Sequence, residues 1–216
     1  MQVVGTAEIR ILALGGTLRP SSSGASALRV CLETAEQMGC SASLLTGADL
    51  DLPIYDPNST KRTPKVCNLL AAVRAANALL IASPGYHASV SGMVKNALDY
   101  LEDLRPDSRC YLHDMPVGCI VSAAGWQAGG PTLAALRAIV HALRGWPTPM
   151  GVIFNSTARV FSTDGACTDD GLARDLLELT HQVIRMARMQ CAYSNTAHAP
   201  NTVLSLSETA RNPEVL

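Results

Sequence analysis

Residues 9–26 read IRILALGGTLRPSSSGAS and place an apolar run, a loop rich in glycine and hydroxyl groups, and the start of an amphipathic segment in direct succession. The apolar run at residues 9–14 is typical of a strand that is covered on both faces of a sheet. A strand, a short loop and a helix in this order form the first half of a βαβ unit. The stretch therefore predicts a parallel sheet with helices packed against it.

The same alternation recurs along the rest of the chain. Segments with apolar residues at helical spacing separate four further apolar runs, which lie at residues 42–45, 78–82, 117–121 and 150–154. Five strands alternating with helices predict an α/β fold, a three-layer flavodoxin-like sandwich with a five-stranded parallel sheet in the order 2-1-3-4-5. We expect one domain at residues 1–191 and a polar C-terminal tail at 192–216, which is either a loosely held terminus or an arm on a neighbouring subunit.

Composition argues against several classes of partner. The formal net charge is −1, so no global field attracts nucleic acid or an anionic membrane. The seven cysteines form no C-x-x-C pair and are expected as small core residues in a reducing cytosol. The sequence begins without a signal-peptide pattern, and no apolar run is long enough to span a bilayer. These features predict a cytoplasmic protein.

The loop after the first strand is a candidate anion site. It matches neither the pattern that binds nucleoside triphosphates nor the one that binds dinucleotides. Its hydroxyl groups and its one cation suit a smaller phosphomonoester at the N-terminus of the following helix. The candidate residues are Thr17, Arg19, Ser21, Ser22 and Ser23. The alternative is an ordinary loop in which the serines only cap the helix.

A second loop follows the third strand in the segment SPGYHASVSGMVKNALDYL, residues 83–101. Pro84 and Gly85 end the strand and are expected to leave Tyr86 and His87 exposed, with a helix beginning near Gly92. In an open α/β sheet, this loop and the first one meet beyond the carboxyl ends of the strands. His87 is either a ligand contact or an ordinary loop histidine, and Tyr86 is either a ligand contact or half-buried packing.

Two motifs resemble a known family. The second loop carries Pro84, Tyr86, Ser89, Gly92, Lys95, Asn96 and Asp99. This pattern resembles the NAD(P)H-dependent FMN reductases of flavodoxin-like fold. The first loop, with Gly16, Thr17, Leu18 and Arg19 followed by Ser22, is similar to that family's phosphate loop. The resemblance extends over roughly residues 9–155.

The resemblance implies FMN as cofactor and NADPH or NADH as co-substrate. It implies that Thr17, Arg19 and Ser22 hold the FMN phosphate and that the turn from Pro84 to His87 runs along the flavin ring. It also implies a homodimer or homotetramer whose contact is formed by the helices after the third and fourth strands. Lys95 and Asp99 stand four residues apart, so they pair with each other, pair across a dimer, or form a solvated helix face.

The third loop, SAAGWQAGGPT at residues 122–132, is rich in small residues, which let a flat ring approach backbone donors closely. The candidate contacts are Ser122, Ala123, Ala124 and Gly125. Family members commonly have a serine and paired glycines here, from which this chain departs. Trp126 either walls the nicotinamide pocket or fills a gap in the core. Downstream, Arg137, His141 and Arg144 are expected on one helix face, either as a solvated or subunit-facing stripe or as an attraction for the 2′-phosphate of NADPH.

Other chemistries find little support in the sequence. The five histidines have no spacing typical of zinc ligands, so no metal site is expected, and a nucleophile elbow is absent. The acidic neighbours Asp49 with Asp51 and Asp169 with Asp170 are interpreted as capping charges beside turns or helix starts.

The predicted activity is an NAD(P)H-dependent FMN reductase that transfers hydride from nicotinamide to FMN. Alignment of two bound reactants removes about 7–11 kcal/mol of barrier, so no catalytic side chain is predicted. One expected fate of the reduced flavin is diffusion to a partner monooxygenase. The alternatives are a quinone, azo or metal-oxyanion reductase on the same flavin site, a flavodoxin-like electron carrier without enzymatic turnover, and a flavin-free scaffold.

Overall fold

The structure is a computed structural model that describes residues 8–19 and 22–197. Its strands are β1 (Arg10–Gly15), β2 (Ser41–Thr46), β3 (Ala78–Tyr86), β4 (Ser89–Val90), β5 (Pro116–Ala123) and β6 (Trp146–Asn155). Its α-helices are α1 (Ser23–Gln37), α2 (Pro64–Ala75), α3 (Gly92–Asp99), α4 (Trp126–Ala142) and α5 (Asp170–Ala197). Short 3₁₀ helices lie at Gly47–Leu50 and Tyr100–Leu104.

The sheet has the order β2-β1-β3-β5-β6, and all four of these pairings are parallel. The predicted five-stranded order is therefore confirmed, with β5 and β6 as the fourth and fifth predicted strands. The two-residue strand β4 was not predicted, and it pairs antiparallel with the end of β3. Because β3 continues through Pro84 to form this hairpin, it ends four residues later than its apolar run indicates.

Two hydrophobic cores lie on the two faces of the sheet. Side chains alternate along β1, with Ile11 in one core and Leu12 in the other, as the pleat of a strand requires. Helices α1 and α5 cover the first core, through residues such as Leu28 and Leu176. Helices α2, α3 and α4 cover the second core, so the predicted three-layer sandwich is confirmed.

The last helix is longer than the sequence indicates. Helix α5 continues to Ala197, six residues into the segment expected as a tail, and residues 198–216 of that segment lie outside the described residues. The predicted division into residues 1–191 and 192–216 therefore places its boundary inside a helix. Within the described part of the chain, no helix combines the length and the apolar character that a membrane span needs.

Candidate functional site

The three loops meet at the carboxyl end of the sheet. The backbone N–H of Gly16 donates to the carbonyl oxygen of Ala82 at 3.0 Å, which joins the first loop to β3. A Cβ atom placed on Gly85 would lie 3.3 Å from the Cβ of Ala123, so the second loop packs on the third. The carboxyl ends of β1, β3 and β5 therefore present one continuous surface, where ligands bind in open α/β sheets.

Glycine is required where β1 turns into the first loop. Gly15 has φ of 139°, and a Cβ atom there would lie 1.9 Å from the carbonyl oxygen of Ala82. Gly16 also has a positive φ, of 83°. The two glycines let the chain pass directly against β3 and turn into the N-terminus of α1.

The hydroxyl groups of the first loop have local partners. The Oγ of Ser22 accepts a hydrogen bond from the N–H of Ala25 at 3.3 Å, so Ser22 is the N-cap of α1. The Oγ1 of Thr17 accepts the N–H of Arg19 at 3.1 Å. Ser23 is half-buried at the first helical position, and Ser21 lies outside the described residues. The capping alternative thus holds for Ser22, although its hydroxyl hydrogen still serves as a donor.

The electrostatics of this loop fit a phosphate group. The first turn of α1 carries no acidic side chain, so the partial positive charge of the helix N-terminus is not neutralised there. The exposed Arg19 adds a full positive charge three residues before the N-cap. Backbone N–H groups, a positive helix end and one guanidinium together are the donor set that suits the phosphate of FMN.

The second loop is a tight hairpin between β3 and β4. Tyr86 is 49% exposed and His87 is exposed, which confirms their predicted exposure, whereas Pro84 is buried and Gly85 is partly buried. The two central residues of the turn, His87 and Ala88, have φ of 50° and 63°. Both therefore adopt the left-handed conformation of a type I′ hairpin turn.

The third loop leads into a second helix N-terminus. Ser122 and Ala123 are buried at the end of β5, whereas Ala124 and Gly125 are exposed. Gly125 is the N-cap of α4, which has neither a side-chain cap nor an acidic residue in its first turn. Trp126 is 71% exposed, so it does not fill a gap in the core.

The motif residues of α3 are bound to neighbouring groups. The Nζ of Lys95 lies 2.6 Å from the Oδ1 of Asp99, so this pair forms within one helix. The side chain of Asn96 accepts the N–H of Tyr55 at 2.8 Å and donates to the carbonyl of Pro53 at 2.8 Å. Asn96 thereby fixes the loop after β2, and no motif in the sequence predicts this contact.

The expected stripe of Arg137, His141 and Arg144 is wrong as one helix face. Helix α4 ends at Ala142, and Arg144 lies beyond it with φ of 64° and its guanidinium 5.6 Å from the centre of the Tyr111 ring. Arg137 donates to the carbonyl oxygens of two residues of β6. These contacts give Arg137 and Arg144 structural partners on different elements.

Two acidic side chains cap helices, whereas the expectation that all seven cysteines are core residues is wrong for four of them. Cys67 is exposed, and Cys110, Cys167 and Cys191 are only partly buried. Asp49 accepts the N–H of Thr46 at 3.2 Å and Asp169 accepts the N–H of Leu172 at 2.7 Å, so their predicted capping function is confirmed. All seven cysteines are free, and burial raises the pKa of Cys31 and Cys119 to about 12. No cluster of three potential metal ligands occurs among residues 8–19 and 22–197.

A surface cavity of about 440 Å³ lies near the amino end of the sheet, where α2 ends before β3. Arg109 lines it and donates to the carbonyl oxygens of Val73 and Ala76 at 2.6 and 2.8 Å. Burial lowers the pKa of Arg109. This guanidinium caps the C-terminus of α2, and the cavity lies apart from the three loops.

The parallel sheet has the flavodoxin-like strand order, and the loop after β1 and the turn after β3 lie together at its carboxyl end, where open α/β sheets bind ligands. The family model for NADPH-dependent FMN reductase matches residues 9–159. The chain belongs to this family, and it is an NAD(P)H-dependent flavin oxidoreductase with FMN as its cofactor.

Individual relatives extend over most of the chain. It is 27% identical over 201 residues to a probable NADPH:quinone oxidoreductase 2 of Oryza sativa subsp. japonica, covering 88% of this chain and 95% of that one. It is 30% identical over 137 residues to an NADPH azoreductase of Bacillus sp. (strain OY1-2), covering 62% of this chain and 68% of that one. A solved flavoenzyme NAD(P)H:(acceptor) oxidoreductase from Paracoccus denitrificans shares the fold with a TM-score of 0.70 at 23% identity, over 84% of this chain and 98% of that one.

Proposed function

We propose that FMN binds at the edge formed by the three loops, with its phosphate on Thr17, Arg19 and the first turn of α1. The observation that carries this proposal is the N-terminus of α1, whose first turn has no acidic residue. The loop that leads into this helix begins at Gly15, which lies directly against β3. Ser21, Ser22 and Ser23 are the further hydroxyl groups proposed for this phosphate. Gly15 sets the path of the loop.

The flavin ring is proposed to lie along the turn Pro84, Gly85, Tyr86 and His87. FMN, when bound, supplies the group that accepts hydride from the nicotinamide. The turn orients the ring through backbone N–H groups, which are fixed donors. On the other side, Ser122, Ala123, Ala124 and Gly125 are proposed to contact it, and the small side chains there leave room for a flat ring. The exposed Trp126 is proposed to wall the nicotinamide pocket.

No side chain is proposed as an acid or base in the hydride step. Transfer between two aligned rings needs orientation and a water-free surface, and alignment alone accounts for about 7–11 kcal/mol of barrier. The residues of the three loops supply that alignment. A pH profile of turnover with one apparent ionisation assigned to His87 would contradict this part of the proposal.

The proposed reaction is oxidation of NADPH or NADH with reduction of FMN, from which reduced flavin diffuses to a monooxygenase. Quinones, azo compounds and metal oxyanions are the alternative acceptors, and the relatives named for quinone and azo reduction favour the first two. A steady-state screen of NADH and NADPH against FMN, FAD, a quinone and an azo dye tests donor and acceptor together. If neither nicotinamide supported turnover, the alternative of an electron carrier would be favoured. If FMN did not bind, the alternative of a flavin-free scaffold would be favoured.

The enzyme is further proposed to be a homodimer. Large apolar side chains are exposed at or beside the site, namely Leu18, Ile54, Tyr86 and Trp126. Ile54 is 84% exposed in the loop that Asn96 holds in place, so it is presented rigidly. Sedimentation equilibrium should give a dimer that Ile54→Asp dissociates, whereas Leu177→Asp on the exposed face of α5 should leave it intact. A monomeric mass for the unaltered chain would contradict this proposal.

A cytoplasmic location is proposed as well. Its support is that all seven cysteines are unpaired, as is usual in a reducing compartment. Cell fractionation followed by immunodetection tests it, and recovery of the protein outside the cytoplasmic fraction would refute it.

A further inference from the structure

The turn at the centre of the proposed flavin site is held in a conformation that its own residues disfavour. Two-residue hairpin turns with two positive φ angles favour Asn-Gly, because a Cβ atom is costly in the left-handed region. Here the two positions are His87 and Ala88, with φ of 50° and 63°. Neither is glycine, so the surroundings must stabilise the turn.

Ser83 forms hydrogen bonds on both sides of this hairpin, at its base. It is 1% exposed, and its Oγ donates to the carbonyl of Pro84 at 2.9 Å and accepts the N–H of Ser91 at 3.0 Å. The first contact lies before the turn and the second lies after β4. One buried hydroxyl group therefore closes the base of the hairpin.

Thr132 supports the hairpin from α4. It is fully buried, and its Oγ1 lies 3.4 Å from the carbonyl oxygen of Ser89 as a long hydrogen bond. A Cβ atom on Gly85 would lie 2.9 Å from the same Oγ1, so α4 packs directly on the hairpin. Helical threonines commonly donate to the carbonyl four residues earlier, as Thr180 does to Leu176 at 2.8 Å. Thr132 instead reaches out of its helix to the hairpin.

We propose that Ser83 and Thr132 are positioning residues, which hold the turn from Tyr86 to Ser89 in its left-handed form and thereby align its backbone with FMN. This inference rests on the proposed flavin site. Both residues act through the turn, because they are buried beneath it and the exposed surface belongs to Tyr86 and His87.

The test is a double-mutant cycle between Ser83→Ala and Ala88→Gly. Glycine at position 88 removes the conformational cost that the hydroxyl group is proposed to offset. Ser83→Ala should weaken FMN binding about tenfold in the unaltered chain and by less than about threefold in the Ala88→Gly background. Thr132→Val provides the same cycle from the other side if Ser83→Ala does not fold. Fluorescence quenching of FMN measures each Kd.

Hydrogen exchange in the FMN-free protein gives a second readout. Ser83→Ala and Thr132→Val should accelerate exchange of the hairpin amides, whereas the control Thr180→Val, which removes a buried hydroxyl group from α5, should leave both the hairpin and the FMN Kd unchanged. Equal weakening of FMN binding in both backgrounds, or unchanged exchange at the hairpin, would overturn the proposal while the flavin site stands. If the unaltered chain binds no FMN, the proposed function fails and the inference with it.

Discussion

Replacement of Gly15 by alanine should both destabilise the fold and weaken FMN binding. The added Cβ atom would lie 1.9 Å from the carbonyl oxygen of Ala82, which is backbone and cannot rotate away. Relief requires β1 and β3 to separate by roughly 1 Å at their carboxyl ends, since Cβ contacts below 3.0 Å are essentially never seen. Overpacking costs about 1–3 kcal/mol and the φ of 139° adds a backbone penalty. The free energy of unfolding should therefore fall by about 3–4 kcal/mol.

Thermal unfolding measures this effect, and the expected fall in Tm is roughly 10 °C for a chain of this size. FMN titration of the same variant should show Kd raised about tenfold or more, because Thr17 and Arg19 are displaced with the loop. Gly92→Ala is the matched control, since a Cβ atom at Gly92 meets nothing within 4 Å. If the two variants had equal Tm and equal Kd, the close contact between Gly15 and β3 would not be what shapes the site.

Three further predictions concern charge, pH and ligand. Arg19→Ala should weaken FMN binding about tenfold, whereas Arg29→Ala, an equally exposed cation further along α1, should not; equal effects would remove the phosphate function from Arg19. Burial raises the pKa of Cys31 and Cys119 from 9.0 to about 12, so their contribution to the unfolding free energy is complete below pH 9 and is lost as pH rises towards 12. In denaturant titrations, Cys119→Ala should lessen the fall of the unfolding free energy with rising pH. An unchanged dependence of that free energy on pH would contradict this prediction. FMN at about 100 times its Kd should stabilise the chain by about 2.7 kcal/mol and raise Tm by roughly 5–10 °C, and an unshifted transition would count against binding.

The sheet could be predicted because its three central strands, β1, β3 and β5, are buried on both faces and so leave nearly uninterrupted apolar runs. The edge strands β2 and β6 are only partly buried, and their apolar runs are correspondingly short. The ends of the strands and helices were harder to predict from the sequence. Strand β3 continues past Pro84 because the hairpin with β4 pairs it, and such pairing leaves no periodic signal in two residues. Helix α5 continues to Ala197 because residues 192–197 include neither glycine nor proline, although they are polar.

The three loops of the proposed site could be predicted to lie together from the sequence, but their contacts could not. Thr132 bonds to Ser89, which is 43 residues distant along the chain, so no local pattern marks either residue. The need for glycine at position 15 arises from Ala82 on a neighbouring strand, and is likewise visible only once the sheet is assembled. Arg144 was misplaced because α4 ends two residues before it, in a left-handed turn that a non-glycine residue rarely adopts.

FMN held by these three loops is proposed to accept hydride from a reduced nicotinamide. Anaerobic rapid mixing of the FMN-loaded protein with NADPH, and separately with NADH, tests it most directly through the visible absorbance of the flavin. We expect at least one of the two nicotinamides to bleach this absorbance within a single turnover, and we expect Arg19→Ala to require more FMN for the same amplitude. Bound FMN whose absorbance is unchanged by both nicotinamides would contradict it.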